Sequence, residues 1–280
     1  MTNQQAGEEL NQLSRLLFDA AANKWYLAIG LEIVSGLVAV VVGVAHFPDD
    51  VALYVTLVGI IPLVIAYVLR LQFSDQYGVA ETMRRQSILC EALDWPVDKI
   101  QMSEWKQRAG VKLRKVLKLQ PRDPDYYATR QPMGLGRLAE MTIESTFYTR
   151  HFYLRLKGWV WMIFVAATAL LILVLVVALT NAVPKTLDMI VAQALVLLLP
   201  IVLAVDLLGW GLKLQGLTNG IREVEADLER IRKSESVDLP QVMRLVSEYN
   251  CQVVTGLPIH NLMFARWHNE IAELWQERSR

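Results

Sequence analysis

The sequence has few of the residues on which most metal and catalytic centres depend. Its 280 residues include only two cysteines and four histidines. The cysteines, Cys90 and Cys251, are far apart and the histidines are scattered, so the spacing of a zinc site is missing. Two thiols so far apart in the sequence also argue against a disulfide framework. We therefore expect no metal, no other cofactor and two reduced cysteines.

Motifs for nucleotide hydrolysis and acyl transfer are missing as well. There is no Walker loop, and the short run Gly134-Leu135-Gly136 is too weak for a nucleotide fingerprint. No serine lies in a nucleophile elbow. We expect that the protein is not an enzyme.

Long apolar runs dominate the sequence instead. Two of them lie between residues 157 and 213, on either side of a short polar break that contains Pro184, and an earlier pair lies within residues 25–72. Each run of the later pair exceeds the roughly 20 residues that cross a hydrocarbon core about 30 Å thick. The short breaks predict that each pair folds back as a transmembrane hairpin, which gives four membrane-spanning helices.

Basic residues determine the predicted orientation, because they cluster at the ends of the spans that lie away from the hairpin tips. The tips carry only Lys185 among the cations. By the positive-inside rule, both termini and the central segment face the cytoplasm. We predict an all-α, multi-pass protein of the bacterial inner (plasma) membrane, in which the central segment and the tail form one helical cytoplasmic domain. The predicted parts are an N-terminal amphipathic helix (1–24), hairpin 1 (25–72), a cytoplasmic helical segment (73–156), hairpin 2 (157–214) and cytoplasmic C-terminal helices (215–280).

Helical periodicity predicts which residues face the core of that domain. Leu10, Leu13 and Leu17 share one face of the N-terminal helix. A 4-3-4-3 series follows the fourth span and predicts coil-like packing against another helix. Its members are Leu217, Ile221, Val224, Leu228 and Ile231. In the helix before the third span, Leu138, Met141, Phe152 and Leu156 are expected in a core.

Two carboxylates fall inside the predicted spans, Glu32 in the first and Asp206 in the fourth. Ionised groups in a membrane are costly, so they normally face a bundle interior or a water-filled path. One interpretation is a pore-lining or gating pair. The other is a structural role, such as an ion pair with Arg70 or Lys213. Pro62 and Pro200 fall mid-span in the second helix of each hairpin, where we expect a shared kink.

A basic segment, Gln101 to Leu119, is predicted as an amphipathic helix that Gly110 weakens. Such a helix is typical of a membrane surface. An anionic-ligand site and a plain solvated face are the alternatives.

Other arginines and tyrosines point to a ligand. Arg122, Tyr126, Tyr127 and Arg130 lie in or after a proline turn, and the pair Arg84-Arg85 lies on a predicted helix. Arginine forks and exposed tyrosines suit phosphates and stacked bases. The alternative is that the tyrosines simply pack in a core.

The order of these parts resembles the four-transmembrane effectors associated with SMODS nucleotidyltransferases in bacterial CBASS anti-phage systems. The resemblance covers nearly the whole chain and includes several short patches. These are Phe18-Asp19-Ala20-Ala21, Ile61-Pro62-Leu63, Leu93-Asp94-Trp95-Pro96, Leu199-Pro200-Ile201 and Leu257-Pro258-Ile259-His260-Asn261-Leu262-Met263-Phe264.

The resemblance implies a cell-suicide effector of the inner membrane that causes abortive infection. A cyclic oligonucleotide from a partner nucleotidyltransferase would bind the cytoplasmic domain, at residues that we take to be the arginines and tyrosines above. Binding would cause oligomerisation or rearrangement, and the spans would open a pore or damage the bilayer. We expect lipid, this ligand and further copies of the chain as partners, and neither DNA nor RNA.

Two other functions stay open from the sequence. One is a constitutive ion channel or transporter subunit that uses Glu32 and Asp206. The other is a non-conducting membrane scaffold whose C-terminal helices recruit a partner.

Overall fold

The computed structural model describes residues 2–44, 48–119, 126–179, 206–234 and 237–279. Within these ranges all regular secondary structure is helical, in seven helices and no strand. The helices are α1 (Asn3–Val44), α2 (Asp49–Leu93), α3 (Lys99–Leu119), α4 (Leu135–Leu179), α5 (Leu207–Arg232), α6 (Leu239–Val254) and α7 (Asn261–Ser279).

The chain divides into two compact units. Unit 1 comprises Met1–Asn23, Phe73–Arg155 and Leu214–Arg280, and unit 2 comprises Lys24–Gln72 and Leu156–Lys213. Helices α1, α2, α4 and α5 each contribute residues to both units. The divisions therefore fall within helices, beside the ends of the apolar runs.

Among the described residues, three hydrophobic clusters form much of the core of unit 1. The first joins α1, α2 and α3, where Leu10, Leu13 and Leu17 pack with Met83 and Trp105. The second joins α2, α4 and α6, and the third joins α4 and α7. Burying these apolar side chains contributes roughly 25 cal/mol for each Å² removed from water, which makes such clusters the main source of stability.

The periodicities of the sequence predicted much of this core. Leu10, Leu13 and Leu17 are fully buried, and so are Leu138 and Met141 on α4. Phe152 is buried in unit 1 as well, and Leu156 is buried but belongs to unit 2. In the 4-3-4-3 series on α5, Leu217, Ile221, Val224 and Leu228 are buried, while Ile231 is partly buried against the second cluster.

Unit 2 exposes apolar side chains to an unusual degree. Val58, Val64 and Tyr67 on α2 are 62%, 57% and 65% exposed, and Val165 on α4 is 61% exposed. A run of exposed apolar residues of this kind is typical of a surface that contacts lipid or protein. Judged by length and hydropathy, one described helix, Leu57–Leu93, is a candidate membrane span. The four-span arrangement predicted from the sequence goes beyond this finding.

Polar and aromatic contacts hold unit 2 together. Arg70 on α2 donates from Nε and Nη2 to the two carboxylate oxygens of Glu32 on α1, at 2.6 Å each. The Ser35 hydroxyl donates to the Gly59 carbonyl at 2.7 Å, one turn before Pro62. The rings of Trp25 and Trp210 are 4.9 Å apart.

Candidate functional site

A cavity of about 620 Å³ lies within unit 1. Its size is in the range of small-molecule sites in proteins, about 300–1,000 Å³. Five helices and two connecting segments contribute to its lining. Described side chains that line it include Arg15, Phe18, Asp19, Tyr77, Glu81, Arg84, Tyr126, Tyr127, Glu144, Tyr148, Phe152, Tyr153, Tyr249, Phe264, His268 and Trp275.

Arg84 is the most firmly held cation of the cavity. Its Nε and Nη2 donate to Glu81 Oε2 at 3.1 and 2.9 Å, and Nη2 also donates to Asn250 Oδ1 at 3.0 Å. The guanidinium carbon lies 5.3 Å from the centre of the Tyr249 ring. Burial acts to lower the pKa of Arg84, but the Glu81 carboxylate and the other nearby groups outweigh it and raise that pKa. Arg84 is therefore a fixed positive charge with an orientation set by three contacts.

Arg15 is a second cation, with a different environment. Its guanidinium lies over the Tyr126 ring, 5.1 Å from the ring centre. Within the part of the chain that the structure describes, no carboxylate forms an ion pair with Arg15. Asp19 lies one helical turn further along α1, and burial raises the pKa of its carboxyl while an Asn261 hydrogen bond and Arg15 lower it. Arg15 is thus a cation without an ion pair among the described residues, although the Asp19 carboxyl lies near it.

A short segment carries Tyr126 and Tyr127 into the lining. The two rings meet edge to face, with centres 4.9 Å apart. The Ala128 N–H donates to Glu144 Oε2 at 2.9 Å, which fixes the segment against α4. Burial raises the pKa of Glu144 to about 7, and the nearby Glu140 adds to this while the Ala128 hydrogen bond opposes it.

Buried tyrosine hydroxyls supply neutral hydrogen-bonding groups. The Tyr249 hydroxyl donates to the Ser145 carbonyl at 3.1 Å and lies 2.8 Å from the Thr149 hydroxyl. Burial raises the pKa values of Tyr77, Tyr153 and Tyr249. These phenols therefore stay protonated, and since Tyr249 and Tyr77 already donate to the Ser145 and Val253 carbonyls, their oxygens can offer a ligand only an acceptor.

Four nearly parallel rings form one wall of the cavity, which we call the aromatic wall. They are Tyr148 and Phe152 of α4 and Phe264 and His268 of α7. The ring centres of Phe152 and Phe264 are 5.0 Å apart at 17°, those of Phe264 and His268 are 4.8 Å apart at 23°, and those of His268 and Tyr148 are 5.9 Å apart at 26°. Because the rings stack on one another, the inner faces are covered, and only the faces at the two ends of the stack can meet the π-face of a planar ring, such as a nucleobase.

The cavity brings together three of the ligand-binding residues predicted from the sequence: Arg84, Tyr126 and Tyr127. Arg85 does not line it; its Nη2 donates to the Asn250 carbonyl at 3.0 Å. Arg130 is exposed outside the lining. Arg122 lies outside the described residues.

Several lining residues escaped the sequence analysis. Arg15, Tyr77 and Tyr249 carried no motif, and Phe264 appeared only as the end of a patch in the family resemblance. The helical spacing of Phe264 and His268, one turn apart on α7, is the one sequence signal that could have placed two rings on a common face.

The residues predicted to line or gate a pore lie in unit 2. Glu32 forms an ion pair with Arg70. This is the structural role that the sequence analysis gave as the alternative to lining a pore. Asp206 precedes α5 with a positive φ of 47°, and its Oδ1 accepts from the Gly209 N–H at 3.1 Å. Pro62 lies inside α2, and Pro200 lies outside the described residues.

Comparison with known proteins identified no relative of this chain: no family model, no curated protein and no solved structure matches it.

Proposed function

We propose that the chain is a membrane effector whose cavity in unit 1 binds a cyclic oligonucleotide second messenger, and whose membrane-spanning helices then disrupt the bilayer. The observation that carries the proposal is the composition of the cavity. It combines two arginines, several neutral phenols and a wall of nearly parallel rings in a volume of about 620 Å³.

Each of these features matches one part of such a ligand. Guanidinium groups bind phosphate oxygens in a forked geometry. Aromatic rings stack on bases regardless of sequence, which is worth about 1–3 kcal/mol for each base. The oxygens of the phenols can accept from the amino groups of a base or the hydroxyls of a ribose. Glu81 and Asn250 occupy Nε and Nη2 of Arg84, which leaves Nη1 for a phosphate, and the guanidinium is already oriented, so that it loses little side-chain entropy when the phosphate binds.

The exposed apolar surface of unit 2 supports the membrane part of the proposal. Four spans in two hairpins, both termini in the cytoplasm and a position in the bacterial inner membrane follow from the hydropathy and the basic residues. The candidate span Leu57–Leu93 is consistent with this arrangement. Pore formation by four short spans requires several copies of the chain, so the active form is an oligomer.

Dye leakage from liposomes tests the proposal. The full chain is reconstituted and exposed to a panel of cyclic di- and trinucleotides, and binding is measured in parallel by calorimetry. We expect one ligand to bind and to trigger leakage. Leakage without any nucleotide would favour a constitutive channel, and silence with insertion confirmed would favour a scaffold.

Two arginine variants locate the binding site. Arg15→Gln removes an unpaired cation of the cavity, and we expect it to weaken ligand binding at least tenfold, since a charged hydrogen bond contributes about 1.5–3 kcal/mol. Arg130→Gln, which removes an exposed arginine outside the lining, is the matched control and should bind as the wild type does. Equal affinities of both variants would place the ligand elsewhere.

A further inference from the structure

The C-terminal half of α3 carries a basic surface outside the cavity. Leu113 and Leu117 pack against the first hydrophobic cluster, and the other side chains between residues 111 and 119 are exposed. We call this exposed set the basic face. It consists of Lys112, Arg114, Lys115, Lys118, Val111, Val116 and Leu119.

The opposite side of α3 fixes its orientation on unit 1. Trp105 and Ala109 are buried in the cluster with α1 and α2. Lys106 Nζ forms an ion pair with Glu9 Oε1 at 2.5 Å. These contacts leave the basic face directed away from the core.

Gly110 separates the two halves of α3. Its φ of 77° and ψ of 169° interrupt the helix, and this region of conformational space is essentially restricted to glycine. The interruption sets the direction of residues 111–119 independently of the half that Trp105 anchors.

No described carboxylate pairs with the cations of the basic face. No acidic residue occurs between Trp105 and Leu119. Arg114 donates to the Gly110 carbonyl at 3.3 Å. Like charges that are close together repel, so the face favours an anionic surface.

The aliphatic side chains make the face more than a solvated basic helix. Val111, Val116 and Leu119 are 59%, 41% and 85% exposed and lie among the cations. Interfacial helices combine these two features, because the cations approach anionic headgroups while the aliphatic groups enter the boundary with the acyl chains. Single-stranded nucleic acid is instead bound with aromatic rings, and the basic face has none.

We propose that the basic face binds the surface of a bilayer that contains anionic lipids. This contact holds residues 111–119 on the membrane and is separate from the ligand cavity, since none of these residues lines it. It does not depend on the function proposed for the cavity. Each cation near such a surface contributes a factor of roughly five to the bound population.

A fluorescent label tests this contact in the full chain. The variant Cys251→Ser/Val116→Cys carries the environment-sensitive dye NBD on the basic face, while Cys90 is buried and stays unlabelled. The wild-type chain labelled at its exposed Cys251 on α6 is the control. Both proteins are inserted in nanodiscs of phosphatidylcholine alone or of phosphatidylcholine with phosphatidylglycerol, and gel filtration checks the insertion.

At position 116 we expect brighter, blue-shifted emission in the anionic nanodiscs only, and no change at Cys251. High salt should reverse the shift, because the Debye length falls to about 3 Å at 1 M. Adding Lys115→Gln and Lys118→Gln to the labelled variant should reduce the bound population by more than tenfold.

Equal emission at position 116 in neutral and anionic nanodiscs would overturn the proposal. So would an unchanged response after Lys115→Gln and Lys118→Gln, because the cations would then not carry the binding. A response to an added oligonucleotide in neutral nanodiscs, without one to phosphatidylglycerol, would also overturn it and assign the face to nucleic acid.

Discussion

Arg84 and Arg15 differ in what each residue does for the folded chain. Arg84 neutralises Glu81, whose side chain is only 2% exposed, whereas Arg15 has no ion pair with a described residue. We predict that Arg84→Met destabilises the protein by about 3–5 kcal/mol, because a buried carboxylate is left unpaired. Denaturant unfolding in detergent measures this.

The double variant Glu81→Gln/Arg84→Met is the control for this prediction. It removes both charges, so most of the lost stability should return. If Arg84→Met alone were as stable as the wild type, the ion pair would have no structural role, and Arg84 would act on the ligand only.

The two thiols should differ in reactivity. Burial raises the pKa of Cys90 to about 11, with Glu91 and Asp94 adding to this, while Cys251 is exposed. Because the thiolate is the reactive form, we predict that maleimide labels one cysteine quickly in the folded protein and the second only after unfolding. Peptide mapping by mass spectrometry identifies the site; fast labelling of Cys90 would contradict the burial.

Two buried carboxyls predict a pH dependence of stability. Burial, together with the nearby Glu8, raises the pKa of Glu91 from 4.5 to about 7, and Arg137 opposes this shift. Burial likewise raises the pKa of Glu144 from 4.5 to about 7. The folded chain therefore binds these protons more tightly than the unfolded chain, so that the free energy of unfolding should fall as pH rises from 4.5 to about 7.

The variant Glu91→Gln/Glu144→Gln should flatten this dependence, because neither amide titrates. Urea unfolding at several pH values measures the slope. A slope in that window as steep as the wild type's would show that other groups are responsible.

At the scale of elements, the interruption of α3 depends on one residue, Gly110. A Cβ at Gly110 would meet no atom within 4 Å, so substitution costs only backbone strain. We predict that Gly110→Ala destabilises the protein by about 1–3 kcal/mol. Gly216 on α5 also has open space around it, and Gly216→Ala should instead stabilise by about 1 kcal/mol. In thermal unfolding, we expect the melting temperature to fall for Gly110→Ala and to rise for Gly216→Ala. Equal shifts for the two variants would contradict this prediction.

The sequence predicted elements better than it predicted the cavity, for a physical reason. An apolar face must be buried, so the spacing of Leu10, Leu13 and Leu17 was enough to predict a buried helix face. A cavity is the space that packed helices leave between them. Arg15 and Phe264 meet there because α1 and α7 approach in three dimensions, and no local spacing records that approach.

The resemblance to anti-phage effectors predicted the class of ligand, but it did not predict which residues line the cavity. Tyr126 and Tyr127 were expected from a proline turn, and they line the cavity with Arg84. Arg130 was expected from the same turn, yet it lies outside, because a segment that leaves a cavity wall turns its next residues to solvent.

At the scale of the whole molecule, four helices run from one unit into the other. If a ligand in unit 1 acts on the membrane through these helices, a break at a boundary should uncouple the two events. Ser74 is an exposed residue of α2, next to the boundary at Phe73. We predict that Ser74→Pro keeps ligand binding and loses ligand-triggered dye leakage, because proline removes a helical hydrogen bond at a cost of about 3 kcal/mol.

Ser74→Ala is the matched control and should retain both binding and leakage. Calorimetry and dye release on the same preparations separate the two readouts. Full leakage from the proline variant would show that the signal does not pass through α2.

The three-segment construction of unit 1 also has a consequence for biosynthesis. Tyr249, Phe264 and His268 belong to its last segment, and the ribosome makes that segment only after both apolar pairs have been synthesised. A nascent chain therefore lacks Phe264 and His268, half of the aromatic wall, until after both apolar pairs have been made. Under the function proposed above, the ligand would then bind only once synthesis of the membrane-disrupting helices is complete.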